Sequence, residues 1–240
     1  MLHLLWSCSQ IQSTSWHPDF SGWVEEMDFW VEFLGSLLNG LLTTLQMVLI
    51  AAPAGVIMGL LLGTMRVYGG RIISSISFAI TAVFRGFPLL VTLFILFFGL
   101  PEVGIYISPF WAAVTGFVLC SGAYISEYVR GSILSVEEGQ SLAARSIGMT
   151  KFQEILYIIL PQAIRRAIPS ISNEIAYMIQ YSSLAFAIGV QEMFSVSKTF
   201  NSIYFRSVEI FSALAITYLA IEGIATYIFK IIEKRFRVPP

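Results

Sequence analysis

Three ionisable side chains, Arg85, Glu174 and Glu222, lie inside stretches that are otherwise apolar. A charge held away from water is expensive, so each one that persists there is a candidate for function. Arg85 is followed by Gly86-Phe87-Pro88. Proline removes a helical hydrogen bond and glycine lets the backbone open, so polar backbone atoms are freed beside a guanidinium. A guanidinium grips a carboxylate through two parallel hydrogen bonds, which suits a ligand that carries one. The structural alternative is an arginine that reaches towards the membrane interface or a carbonyl. Glu174 could meet an amino group or a cationic side chain; equally, it could bridge to Arg85 as a structural ion pair. Glu222 has no evident partner and reads as a packing residue. Other chemistry finds no support. His3 and His17 sit isolated in a polar N-terminal tail, and Cys8 and Cys120 match no metal or redox spacing. The apolar segments hold no nucleophile with a base and no His/Asp metal set. The phosphate cradle G-x-x-x-x-G-K-[ST] is absent from the sequence. The chain is therefore read as a non-enzyme that binds no metal and no cofactor of its own.

The elements that must position these charges are membrane spans. Of 240 residues, 56% are hydrophobic and 12% charged, with mean hydropathy +0.77. A soluble domain carries about 25% charged residues, so the usual water-facing surface is missing. A span needs about 20 apolar residues. Five are expected, near 36–63, 76–100, 107–127, 169–190 and 210–231. The second is interrupted at Arg85, and is expected to be broken or distorted there. At helical rise Arg85 is about 21 Å from Arg71 and about 26 Å from Glu102, near mid-membrane. Lys and Arg set the orientation. With the N-terminus outside and the C-terminus inside, eleven cations fall in inner segments and only Lys198 and Arg206 in outer ones. The same topology puts Trp6, Trp16, Trp23 and Trp30 in the outer tail. Residues 1–33 are read as that extracytoplasmic tail, with no secretory signal, and 34–237 as the membrane domain. Gly55, Gly59 and Gly63, at spacing four, suit close helix packing, within the chain or against a second subunit.

A long inner loop, about 130–166, is expected to be folded. Ser135-Val136-Glu137-Glu138 and Thr150-Lys151-Phe152-Gln153 both fit the capping box that starts a helix. Gly148 falls where a left-handed helix end is wanted, and Pro161 is expected to end the second helix. Phe152, Ile155, Leu156 and Ile159 are assigned to one face of that helix, with Lys151 and Glu154 off it. Such a hairpin could lie on the membrane surface or against its own bundle, or it could dock a cytoplasmic partner.

At this point the residues resemble a known family. Ala143-Ala144, Gly148 and Ile158-Ile159-Leu160-Pro161 resemble the E-A-A loop of ABC importer permeases. Arg85-Gly86-Phe87-Pro88-Leu89-Leu90 is similar to the R-G-T-P-L-L of polar amino-acid permeases. Ser121-Gly122-Ala123-Tyr124, Glu127-Tyr128-Val129-Arg130-Gly131, Leu160-Pro161-Gln162-Ala163, Ser172-Asn173-Glu174 and Ser183-Leu184-Ala185 follow in register, from about Gly35 to Arg237. The resemblance implies an all-α polytopic protein with the type I ABC importer fold, in a prokaryotic cytoplasmic (inner) membrane. It implies a substrate cavity at Arg85, Gly86, Phe87, Asn173 and Glu174. It also implies a coupling hairpin that carries Leu142, Ala143, Ala144, Arg145, Gly148, Lys151, Leu160 and Pro161. The partners implied are a dimer of ATPase subunits, which use ATP and magnesium, and a second permease subunit, identical or different. An extracytoplasmic solute-binding protein, an amino-acid substrate and membrane lipid complete the set, with no nucleic acid. Glu174 tilts the substrate towards cationic amino acids. Three positions depart from the pattern: Leu142 replaces the loop glutamate, Phe87 the threonine, and Gln180-Tyr181 a Lys-Asp pair. An atypical subunit of this kind is open to pairing with a more typical one.

Other readings make distinct demands. A permease for another small polar solute would share every feature above. An ion-coupled secondary transporter would show repeated halves or several intramembrane acids; five spans with no visible inverted repeat give it little support. An intramembrane hydrolase would need the nucleophile and base already found missing.

Overall fold

The computed structural model describes residues 21–236. The tail residues up to 20, with His3, Cys8, His17, Trp6 and Trp16, lie outside the described residues, as do residues 237–240. All regular structure among the described residues is helical. The helices are α1 (Ser21–Tyr68), α2 (Gly70–Gly86), α3 (Leu89–Phe94), α4 (Pro109–Leu134), α5 (Glu138–Ser146), α6 (Lys151–Gln153), α7 (Leu160–Tyr181), α8 (Met193–Tyr204) and α9 (Ser207–Phe236). The chain divides into two compact units, one ending at Gly35 and one beginning at Ser36. In the first, Phe29, Trp30 and Phe33 form a ring cluster with centroids 5.2–6.0 Å apart.

Three helices, α1, α4 and α9, are long and apolar enough to cross a membrane. A fourth crossing is available if the bent pair α2 and Leu89–Val103 is one span. The segment near 169–190 does not form one long apolar helix. There α7 carries Arg165, Arg166 and Glu174 and gives way at Ser182 to a 3-10 turn that ends at Ile188. Exposed Leu38, Leu42, Leu49, Ile57 and Leu61 on α1, with Ile216, Leu219 and Ile224 on α9, make apolar outer faces. Such faces are satisfied by lipid tails rather than by water.

Inside the second unit, α4 is the central helix. Phe117, with Met47, Leu93, Met178 and Ile188, builds one buried cluster. Ile125, Val129 and Ile133 build another with Ile159, Ala163 and Ala167. The glycine stripe is consumed within the chain. A Cβ at Gly55 would lie 2.5 Å from Ser121 Oγ, at Gly59 2.4 Å from Ile125 Cγ2, and at Gly63 2.7 Å from the Ser126 carbonyl oxygen. So α1 and α4 approach at a distance only glycine permits. Without a hydrophobic drive between helices in lipid, short polar side chains add the cross-links. Ser77 Oγ donates to the Leu62 carbonyl (2.7 Å), and Thr81 Oγ1 lies 3.1 Å from Ser126 Oγ.

The inner loop is a helical hairpin, with three corrections to the sequence reading. The Thr150–Gln153 capping box forms in both directions, and Gly148 has φ +83°. The Ser135 box does not form. Ser135 closes α4, its hydroxyl donates back to the Ser132 carbonyl, and α5 starts from Glu137 without a side-chain cap. Pro161 does not end the second helix either. A π-helical stretch, Glu154–Ile159, precedes it, and α7 continues with proline in its first turn. The π stretch widens the turn whose i→i−4 bond proline cannot make, and relieves the ring's clash with the preceding carbonyls. It also rotates the face. Glu154 and Ile159 turn inward and are buried, while Phe152, Leu156 and Tyr157 are exposed.

Candidate functional site

The break falls where Gly86, Phe87 and Pro88 were expected to place it. Phe87 (ψ 137°) and Pro88 (ψ 136°) are extended, and the helical segments on either side are bent by 103°. Pro88 offers no N–H to the carbonyl a turn before it. Phe87 N donates to the Val83 carbonyl (3.0 Å), closing α2, while Val91 N and Thr92 N donate to the Pro88 carbonyl and start α3.

A cleft of about 400 Å³ opens at this break, lined by Arg85, Gly86 and Phe87 together with Cys120, Tyr124, Glu174 and Tyr181. Residues from three helices remote in sequence therefore meet at one place. Arg85 keeps 42% of its side chain exposed, and its guanidinium stacks 5.3 Å from the Tyr124 ring centroid. Glu174 is buried and accepts a long bond (3.4 Å) from the Tyr128 hydroxyl. The Tyr181 hydroxyl is buried at the cleft and has no partner at hydrogen-bond distance among the described residues. The anticipated Arg85–Glu174 pair is not formed. Arg85 lies instead 3.7 Å from Glu127. Asn173 faces elsewhere, into a separate cleft of about 100 Å³ with Thr226, Lys230 and Glu233. The reason is rotational: neighbours on a helix point about 100° apart, so Asn173 and Glu174 cannot share a wall. Glu222 carries a buried carboxylate oxygen with no hydrogen-bond partner among the described residues.

Glu127 is the residue that sequence reasoning underrated. Arg66 Nη1 donates to its Oε1, Arg130 Nε donates to its Oε2 (3.0 Å), and Arg85 approaches Oε1. One carboxylate thus holds three guanidiniums from α1, α2 and α4. The i, i+3 spacing of Glu127 and Arg130 was legible; the arrival of Arg66 and Arg85 depends on tertiary packing.

The hairpin residues divide by exposure. Leu142 (63% exposed) and Ile147 (79%) on the α5 side join Phe152 (71%) and Tyr157 on the α6 side in an apolar outer surface. Ala143, Gly148 and Pro161 are exposed, Leu160 is half-buried, and Ala144 packs inward. Arg145 Nε donates to Glu154 Oε2 (2.9 Å), and Ser141 Oγ to Glu154 Oε1 (2.6 Å), clamping the two arms. The Arg145 bonds first, then the Ser141 bond, hold the Glu154 carboxyl down at about 2. Lys151 Nζ sits 5.5 Å from the Tyr68 ring centroid, beside the end of α1.

Apolar spanning helices, a break that opens on a charged cleft, and a folded hairpin between spans define a membrane permease. The chain belongs to the family of binding-protein-dependent transport system inner membrane components, which matches residues 51–238. It is accordingly an inner-membrane protein. The glutamine transport system permease protein GlnP of Escherichia coli (strain K12) is 34% identical over 204 residues, covering 84% of this chain and 93% of its own length. The L-cystine transport system permease protein TcyL of Bacillus subtilis (strain 168) is 34% identical over 219 residues, covering 88% and 92%. Among solved structures, an amino acid ABC transporter crystallised with histidines is 30% identical, with TM-score 0.77 over 91% of this chain and 99% of that one. The methionine transporter MetNI in an inward-facing conformation shares the fold at 20% identity, with TM-score 0.73 over 85% and 98%.

Proposed function

We propose that this chain is the permease subunit of an ATP-driven importer of polar amino acids, crossing the inner membrane five times with its N-terminus outside. The observation that carries the reading is the single cleft that gathers Arg85, Gly86, Phe87 and Glu174 at the helix break. An amino acid presents a carboxylate and an ammonium group. Arg85 suits the first and Glu174 the second, or a cationic side chain, which favours cationic substrates. The names of the relatives agree with an amino-acid cargo and leave the side chain open.

ATP hydrolysis, with magnesium, belongs to a separate pair of ATPase subunits. The exposed surface of Leu142, Ile147, Phe152 and Tyr157 is their docking face, and Leu142 in place of a motif glutamate makes that contact apolar. A solute-binding protein delivers the amino acid from outside, and a second permease subunit, identical or a more typical homologue, completes the pathway. Closure of the ATPases moves the hairpin, and the cleft opens to alternate sides. Asn173, on its own wall of α7, is the proposed site residue that the Arg85 cleft does not include.

The test is substrate-stimulated ATPase activity of the reconstituted complex across a panel of amino acids, with wild type and Arg85→Ala compared. Arg85→Ala should abolish uptake and stimulation while the complex still assembles. Unchanged uptake would remove Arg85 from the site.

A further inference from the structure

A second concentration of charge lies away from the Arg85 cleft. Between the start of α7 and the end of α9 is a cleft of about 440 Å³, lined by Arg165, Arg166, Lys230 and Lys234 with a single acid, Glu233. None of the four cations makes an ion pair among the described residues. Arg166 is fixed in place by donating to the carbonyl and hydroxyl of Ser135, neither of which neutralises it. The cleft therefore carries an uncompensated excess of positive charge. The negative end of the α9 dipole, equivalent to about half a charge, offsets only a fraction of it.

Two neighbouring features specify what would bind. Going back along α9 from Lys230, exposed Ile228, Tyr227 and Ile224 continue the apolar outer face, and Ile231 stands exposed beside the cations. The smaller cleft with Asn173 and Thr226 shares Lys230 and Glu233 with this one. A cationic pocket thus adjoins both a hydrocarbon-facing stripe and a polar niche. A free anion would use the cations and ignore the isoleucines. A phospholipid uses both, its phosphodiester among the lysines and arginines and its chains along α9. Basic pockets between spanning helices are known hosts for anionic headgroups.

We infer that the α7–α9 cleft is a binding site for an anionic phospholipid, with the phosphate held by Arg165, Arg166, Lys230 and Lys234. This site requires that α9 crosses the bilayer. It does not depend on the direction of crossing or on the substrate of the Arg85 cleft.

Native mass spectrometry of the intact transporter complex tests it, with dioleoyl phosphatidylglycerol and dioleoyl phosphatidylcholine as probes. Wild type should retain phosphatidylglycerol in preference, with inorganic phosphate in excess failing to displace it. Each cation removed should weaken retention about fivefold, so Lys230→Gln with Lys234→Gln should lose about 25-fold, and Arg165→Gln alone about fivefold. Several results would overturn the inference: equal retention of the two lipids, unchanged retention in both variants, or displacement by phosphate, which would mark a free-anion site. Failure of the intact complex to bind either lipid would overturn it too, and would point to a second subunit covering the cleft. ATP-driven uptake by the same preparations reports separately on the transport assignment.

Discussion

Replacing Glu127 with glutamine keeps the side chain's shape and removes the one negative charge that three guanidiniums share. A unit charge pair about 4 Å apart near a protein surface attracts by roughly 4 kcal/mol before desolvation is subtracted. Breaking a buried pair by removing one partner costs about 3–5 kcal/mol. The Glu127 side chain is 16% exposed, which places it towards the lower end, about 3 kcal/mol. Because Arg66, Arg85 and Arg130 come from three helices, the loss should appear as lower thermal stability of the purified complex. A double-mutant cycle with Arg66→Gln isolates the shared term, and should give a coupling energy of about 1 kcal/mol or more. A second readout follows from the 3.7 Å contact with Arg85. Freed from a competing carboxylate, the half-exposed Arg85 should bind a substrate carboxylate about fivefold more tightly, equivalent to about 1 kcal/mol. Substrate-stimulated ATPase activity measures this as a lower half-saturating concentration. An unchanged melting temperature together with zero coupling would refute the account of Glu127 as a three-way clamp.

The Glu154 clamp has a defined pH window. Its carboxyl is held at about 2, well below its ordinary 4.5, so its stabilisation is complete above pH 4.5 and is lost as pH falls towards 2. Protection factors of the α5 amides, with the intrinsic pH dependence of exchange divided out, should be flat from neutral pH to 5 and fall below that; a fall beginning near pH 6 would contradict it, and Glu154→Gln should abolish this dependence. Leu142→Ser with Phe152→Ser should weaken co-purification of the ATPase subunits without altering the helical content of the permease, measured by circular dichroism; normal co-purification would move the docking face elsewhere. Gly63→Ala should destabilise the bundle by about 1–3 kcal/mol, because its Cβ meets the Ser126 backbone, which cannot rotate away. Gly139→Ala, with open space around it, is the control and should be neutral or gain up to about 1 kcal/mol from helix propensity in thermal melts.

Local chemistry was read well from the sequence. The break at Gly86-Phe87-Pro88, the Thr150 capping box and the left-handed Gly148 all follow from what one or two residues can do by themselves. Arg85 and Glu174 were singled out because apolar surroundings make a charge conspicuous, and both line the cleft. What failed depended on competition between neighbours. Ser135 could cap α5 or finish α4, and α4, already running, claimed it. Pro161 was expected to stop a helix, but the π stretch ahead of it absorbed the defect and turned Glu154 inward. Arg85's true counter-ion was hidden for another reason. Glu127 and Arg85 are 42 residues apart, and only the packing of α2 on α4 brings them together.

The accommodation of Pro161 has a further consequence. Since the π stretch keeps the helical path continuous, Lys151 to Tyr181 forms one lever with no loop in it. Thr150 lies at its tip, and Glu174 stands 24 residues along, about 36 Å away at helical rise. Under the proposed coupling, a push on the hairpin reaches that carboxylate along a single piece of helical backbone with no loop between them.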